Sequence, residues 1–141
     1  SINQLTKWMK VKYIDKIDVD LNIPVNWEDE HFSLDARVRS YLDINCGHCH
    51  SSTGGANSTG LYLDLTENRP INRGIYKKPV ATGRGSGGHQ YSILPGNSEE
   101  SILLYRMISV DPGVMMPESG RSLSHDEAIE MIRDWIDKME I

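Results

Sequence analysis

The sequence predicts a mainly α-helical fold in one domain. Three stretches place apolar residues at helical spacing, and each follows a residue that can cap a helix. The length of 141 residues suits a single domain, which we place at residues 33–141, with residues 1–32 as an N-terminal extension or linker. No apolar run approaches the roughly 18 residues of a membrane-spanning helix, so we expect no transmembrane segment in this chain.

The first clear helix is predicted over 34–42, directly before the cysteines. Ser33 can cap this helix, and Asp35 lies in the first turn, where the helix dipole favours a negative charge. The apolar positions share one face of the helix and consist of Leu34, Val38, Tyr41 and Leu42. The helix therefore leads directly into Cys46.

The middle of the chain is predicted to contain two short strands and a flexible turn. Residues 61–65 alternate apolar and polar side chains, which is typical of a half-buried strand. A second strand is predicted over 75–81, at an edge, because Pro79 interrupts it. The glycine-rich turn at 83–88 lacks the Lys-Ser/Thr ending of a phosphate-binding loop, which argues against nucleotide binding.

Two further helices are predicted in the last third of the chain. Asn97 and Glu100 form a plausible capping pair for a helix that ends near Ile108. The last helix is predicted to begin at Ser124, with Glu127 at the capping-box position. Its apolar face predicts core packing and consists of Ala128, Ile132, Trp135, Ile136 and Met139.

Both cysteines of the chain lie in the segment Cys46-Gly47-His48-Cys49-His50. This is C-x-x-C-H, the attachment pattern of a c-type haem. Two thiols one helical turn apart can each form a thioether with a vinyl group of the same porphyrin, and the following histidine can bind the iron. The motif therefore predicts one covalent haem, attached through Cys46 and Cys49, with His50 as an iron ligand.

Other uses of a C-x-x-C motif fit less well. A thioredoxin-type redox disulfide normally follows a strand, whereas this motif follows a predicted helix. A disulfide would close a very short loop and stabilise little. A zinc-binding structural module stays as an alternative, although zinc prefers four ligands and the chain has no second cysteine pair. His48, His50 and a distant His31 or His89 would have to complete such a site.

The second axial position of the iron is predicted to be filled by Met116. This residue lies in an irregular segment between two helices, and Pro117 biases it toward an extended conformation. A thioether is a soft ligand that favours Fe(II) and raises the reduction potential. Met115 and His89 are the alternative ligands. With an open position instead, the protein would be a haem enzyme or a gas-binding sensor.

These features together resemble the class I c-type cytochromes, over about residues 33–139. The resemblance implies a cytochrome c fold, in which the N- and C-terminal helices cross around one covalent haem. Tyr41 and Trp135 stand where the family packs aromatic residues at this crossing, and Met116-Pro117 matches its Met-Pro loop. Residues 61–81 then form a small β-hairpin insertion. The chain is also similar to cytochrome domains of larger exported bacterial proteins.

The resemblance implies electron transfer rather than enzymatic catalysis, with a redox partner protein or a neighbouring domain of the same chain as the partner. Haem of this type is attached outside the cytoplasm, so we expect an exported, periplasmic protein, and Ser1 can be a processed end or a domain boundary. The net charge of −5 disfavours nucleic-acid binding.

A basic stretch at 69–84 carries five basic residues and no acid. Its ordinary role is a solvated surface, but it can also offset haem propionates or orient a partner. We expect Arg84 to pair with a propionate, together with Arg73 or Arg121.

Overall fold

The computed structural model describes residues 3–16 and 22–140. Within these residues the chain is mainly helical, as predicted, and four α-helices form: α1 (Gln4–Lys10), α2 (Leu34–Leu42), α3 (Ile102–Ile108) and α4 (Asp126–Asp137). A π-helical turn over Asp43–Gly47 continues α2, and short 3-10 turns cover Asn57–Thr59, Gly83–Ser86 and Ser98–Glu100.

The helix before the cysteines has the predicted bounds. The Ser33 hydroxyl accepts a hydrogen bond from the Ala36 N–H at 3.2 Å, which satisfies one of the free donors of the first turn. Val38, Tyr41 and Leu42 are buried. The predicted cap and apolar face of α2 are therefore confirmed.

Part of the N-terminal extension packs against α2. The Val25 N–H donates to the Ser40 hydroxyl at 2.9 Å, and Arg37 Nε donates to the Trp27 carbonyl at 2.7 Å. The Trp27 ring meets the Tyr41 ring edge to face, with centroids 5.5 Å apart. The residues just before Ser33 thus contribute to the same core as the helices.

The later helices begin at different residues than predicted. Asn97 accepts from the Glu100 N–H at 3.2 Å, but this contact caps a separate 3-10 turn, and α3 follows at Ile102. Helix α4 begins at Asp126 rather than Ser124, because the Ser124 hydroxyl donates to the Asp126 carboxylate at 2.6 Å instead of accepting from the backbone.

The predicted β-hairpin over 61–81 is not confirmed, because the described residues contain no β-strand there. The Tyr62 N–H donates to the Asn72 carbonyl and the Leu63 N–H to the His50 carbonyl, both at 2.7 Å. Ile75 forms an isolated bridge with Ile93. The alternating pattern thus belongs to an extended segment that contacts the C-x-x-C-H motif, and not to a hairpin.

Helices α2, α3 and α4 enclose the core. Its buried side chains include Val38, Leu104, Ile132 and Ile136. The turn before α3 is tied to the end of α4, since Asp137 accepts from the Ser98 N–H at 2.8 Å and from its hydroxyl at 2.9 Å. Across residues 3–16 and 22–140, no helix has the length and apolar character needed to cross a membrane.

Candidate haem site

The C-x-x-C-H motif forms one helical turn at the end of α2. The Cys49 N–H donates to the Cys46 carbonyl at 3.1 Å, and the His50 N–H donates to the same carbonyl at 2.8 Å. Because the helix continues from α2 through its π turn, the buried face of α2 fixes the direction of this turn. Both cysteines are free thiols, with Cys46 half-buried and Cys49 exposed.

The two thiols differ in their surroundings. Burial raises the pKa of Cys46 to about 12, and the nearby Cys49 adds to this effect. A thiol with this pKa is protonated at neutral pH and is a poor nucleophile. Cys49 is exposed and is the more accessible thiol of the pair.

After His50 the chain folds back in a tight turn, and residues 54–56 pack against the motif. The Ala56 N–H donates to the Cys49 carbonyl at 2.9 Å. A side chain at Gly54 would collide with this same carbonyl, so the return requires glycine. The next position, Gly55, faces open space.

The imidazole of His50 has the properties of a metal ligand. It is half-buried, and its Nδ1 atom has no hydrogen-bond partner among residues 3–16 and 22–140. Burial lowers the pKa of His50, the Leu61 backbone near the ring opposes this shift, and the Arg106 charge adds to it. A lowered pKa favours the neutral imidazole, which is the form that binds iron.

The loop with Met116 is held against α3 by backbone hydrogen bonds. The Met116 N–H donates to the Arg106 carbonyl at 2.9 Å, and Arg106 Nε donates to the Val114 carbonyl at 2.8 Å. Arg121 Nη2 donates to the Arg106 carbonyl at 3.1 Å and to the Ser109 carbonyl at 2.5 Å. The loop is therefore fixed on both sides of Met116.

Arg106 is the shared neighbour of the two predicted iron ligands. The positive charge of Arg106 helps to lower the pKa of His50, and its carbonyl accepts a hydrogen bond from the Met116 N–H. Arg106 was not predicted from the sequence, although it is a lone charge in the apolar helix sequence ILLYRMI, a signal of a special environment.

The alternative ligands have other contacts. His89 Nδ1 lies 3.2 Å from a Glu100 carboxylate oxygen, and its ring packs against Tyr105 with centroids 5.5 Å apart. The Met115 N–H donates to the Asp111 carbonyl at 2.8 Å, and its side chain is half-buried like that of Met116. The backbones of the two methionines are thus held by different residues, and Met116 stays the ligand that the sequence favours.

The arginines expected to pair with propionates have partners of their own. Arg84 binds the Asp111 carboxylate with two hydrogen bonds, of 2.9 and 3.0 Å, and its side chain is exposed. Arg73 lies 3.3 Å from the Asp35 carboxylate. Arg121 donates to backbone carbonyls, and its Nε is buried without a partner in the described part of the chain.

The donor set at this turn has the chemistry that a covalent haem requires. It combines two free thiols one helical turn apart with a neutral, half-buried imidazole. Within the described ranges, this turn included, no three His, Cys, Asp or Glu side chains are already gathered around a metal-ion position. Comparisons with family models, with curated proteins and with solved structures found no match.

Proposed function

We propose that this chain carries one covalent c-type haem and transfers single electrons, with His50 and Met116 as the axial ligands. The observation that carries the proposal is the helical C-x-x-C-H turn, with free Cys46 and Cys49 at the end of a buried helix. When bound, the haem supplies a one-electron Fe(III)/Fe(II) couple.

The protein's own residues hold and tune this group. Cys46 and Cys49 would each hold it through a thioether, formed when the thiol adds across a vinyl group of the porphyrin. His50 offers a neutral imidazole, because burial lowers its pKa. Met116 offers a soft thioether, which favours Fe(II) and raises the potential. The Met116 backbone is held by Arg106, which would keep this thioether in place as a ligand.

We further propose that the helices form a cytochrome c fold. The support is the contact between the helix that precedes the motif and the C-terminal helix, where Trp135 bonds to Asp35 across α4 and α2. Such a framework suits electron transfer, since a rigid protein keeps the ligand geometry in both oxidation states.

The proposed role is an electron-transfer domain rather than an enzyme. Its partner is a redox protein or a neighbouring domain of the same chain. The compartment that follows from haem attachment is the periplasm or another exported location. No nucleic acid is proposed as a partner, because the net charge is −5.

The test is the visible spectrum of the full chain, produced in an exporting host with c-type haem maturation. The haem content is first measured after denaturation, which leaves a thioether-bound haem on the protein. Spectra are then recorded for the oxidised form, the reduced form, and the reduced form with carbon monoxide.

We expect covalent haem, a low-spin reduced spectrum, a sulfur-to-iron band in the oxidised form, and no response to carbon monoxide. A high-spin spectrum that shifts with carbon monoxide would instead indicate an open distal site and a haem enzyme or gas sensor. A colourless protein that needs zinc to fold would indicate the structural zinc module.

A further inference from the structure

Arg106 in α3 makes contacts on two sides of the loop with Met116. Its Nε atom donates to the Val114 carbonyl at 2.8 Å, two residues before Met116. Its own carbonyl accepts from the Met116 N–H at 2.9 Å and from Arg121 Nη2 at 3.1 Å. One residue thus fixes the segment 114–116 through both its side chain and its backbone.

The surroundings of the guanidinium also favour a fixed position. It is half-buried and forms no ion pair within residues 3–16 and 22–140. Burial lowers the pKa of Arg106, and Glu118 opposes this, but the group stays protonated because its ordinary pKa is far above neutral. Gly85 leaves room for the guanidinium, since a Cβ atom at position 85 would lie only 3.2 Å from Arg106 Cζ.

We propose that Arg106 is a positioning residue for the distal ligand, which keeps Met116 in place against competing ligands. The proposal rests on the proposed function, because it assumes that Met116 binds the iron. Without the hydrogen bond to Val114, the segment before Met116 loses its side-chain anchor and opens more often. The iron would then be accessible to a small external ligand in a larger fraction of molecules.

The experiment measures imidazole binding to the oxidised, haem-loaded full chain, in which imidazole must displace the methionine. The variants are Arg106→Gln and Arg106→Lys. The matched control is Arg39→Gln, since the Arg39 side chain likewise donates to backbone carbonyls, those of Leu65 and Glu67, at 2.7 and 2.8 Å. The sulfur-to-iron band and the thermal unfolding midpoint are recorded for each protein.

We expect Arg106→Gln to bind imidazole about tenfold more tightly than the wild type, with a weaker sulfur-to-iron band. Arg106→Lys should restore part of the wild-type resistance, and Arg39→Gln should leave it unchanged. If both Arg106 variants bind imidazole as weakly as the wild type and keep the full band, the positioning role is wrong, while the proposed function stands.

A second comparison separates positioning from a direct effect on imidazole. In a Met116→Ala background no thioether has to be displaced, so adding Arg106→Gln should not change the imidazole affinity further. An equal gain in this background would show that Arg106 acts on the bound ligand itself, and would overturn the proposal. A wild-type protein without covalent haem would overturn both proposals.

Discussion

The indole Nε1 of Trp135 donates a hydrogen bond to the Asp35 carboxylate at 3.0 Å, between residues 100 positions apart in the chain. The same carboxylate oxygen accepts from Arg73 at 3.3 Å. Asp35 lies in the first turn of α2 and Trp135 in the buried face of α4. This contact fixes the helix that leads into the C-x-x-C-H motif to the C-terminal helix.

Replacing Asp35 should destabilise the haem-loaded protein. Asp35→Ala leaves the indole N–H of a buried tryptophan without a partner, which costs about 1–3 kcal/mol of unfolding free energy. Urea unfolding followed by circular dichroism measures the loss. The matched control is Asp134→Ala, which removes an exposed ion pair with Lys138 and should cost less than about 1 kcal/mol. Equal stability of the two variants would contradict the prediction.

The sequence predicts these helices well but not the contacts between them. The spacing of apolar residues and the Ser33 cap depend on local geometry, and both are confirmed. Trp135 was expected to pack near Tyr41, but the aromatic partners of Tyr41 are Trp27 and His125, and the polar end of Trp135 bonds to Asp35. Local patterns place a side chain on a face without specifying which distant group it meets.

In the candidate site, too, the local features could be predicted from the sequence and the distant contacts could not. The C-x-x-C-H turn is a local feature, and the motif predicts its helical geometry. The role of Arg106 depends on how the loop after α3 folds back, and that path has no periodic signal. Likewise, the alternation over 61–65 reflects an extended segment, and the partner of Leu63 is the His50 carbonyl rather than a second strand.

Replacing the two methionines of the loop should have different effects. Met116→Ala should remove the sulfur-to-iron band of the oxidised protein, lower the reduction potential, and let carbon monoxide bind the reduced form. Met115→Ala should change none of these, because its backbone is held by Asp111 instead of Arg106. Visible spectra and a redox titration measure the difference. If the two variants exchange these effects, Met115 is the ligand.

The stability of the protein should fall at high pH because of Tyr41. Its hydroxyl lies 3.0 Å from His125 Nδ1, and burial raises the pKa of Tyr41 above its ordinary value of 10.0, with smaller effects from Cys46 and Arg121. Above pH 10 the unfolded chain releases the tyrosine proton while the folded chain keeps it. The unfolding free energy then falls by up to about 1.4 kcal/mol per pH unit until the folded pKa is reached.

Tyr41→Phe should flatten this alkaline loss of stability, and at neutral pH it should cost about 1 kcal/mol for the lost hydrogen bond. Urea unfolding at several pH values between 7 and 11 gives both quantities. Tyr13→Phe is the control, since the Tyr13 side chain is 80% exposed. An alkaline slope that is the same in Tyr41→Phe and Tyr13→Phe would show that Tyr41 does not cause it.

Two neighbouring glycines give the sharpest test of the geometry at the motif. Gly54→Ala would push a methyl group into the Cys49 carbonyl and against the His48 carbonyl, so the chain must move at the residues that are proposed to hold the haem. We expect a lower yield of covalent haem and a loss of about 1–3 kcal/mol in unfolding free energy, as for other overpacked sites. Gly55→Ala meets open space and should match the wild type in both measurements. The two measurements are the haem content after denaturation and the free energy of unfolding in urea. Equal values for Gly54→Ala and Gly55→Ala would mean that residues 54–56 do not constrain the motif.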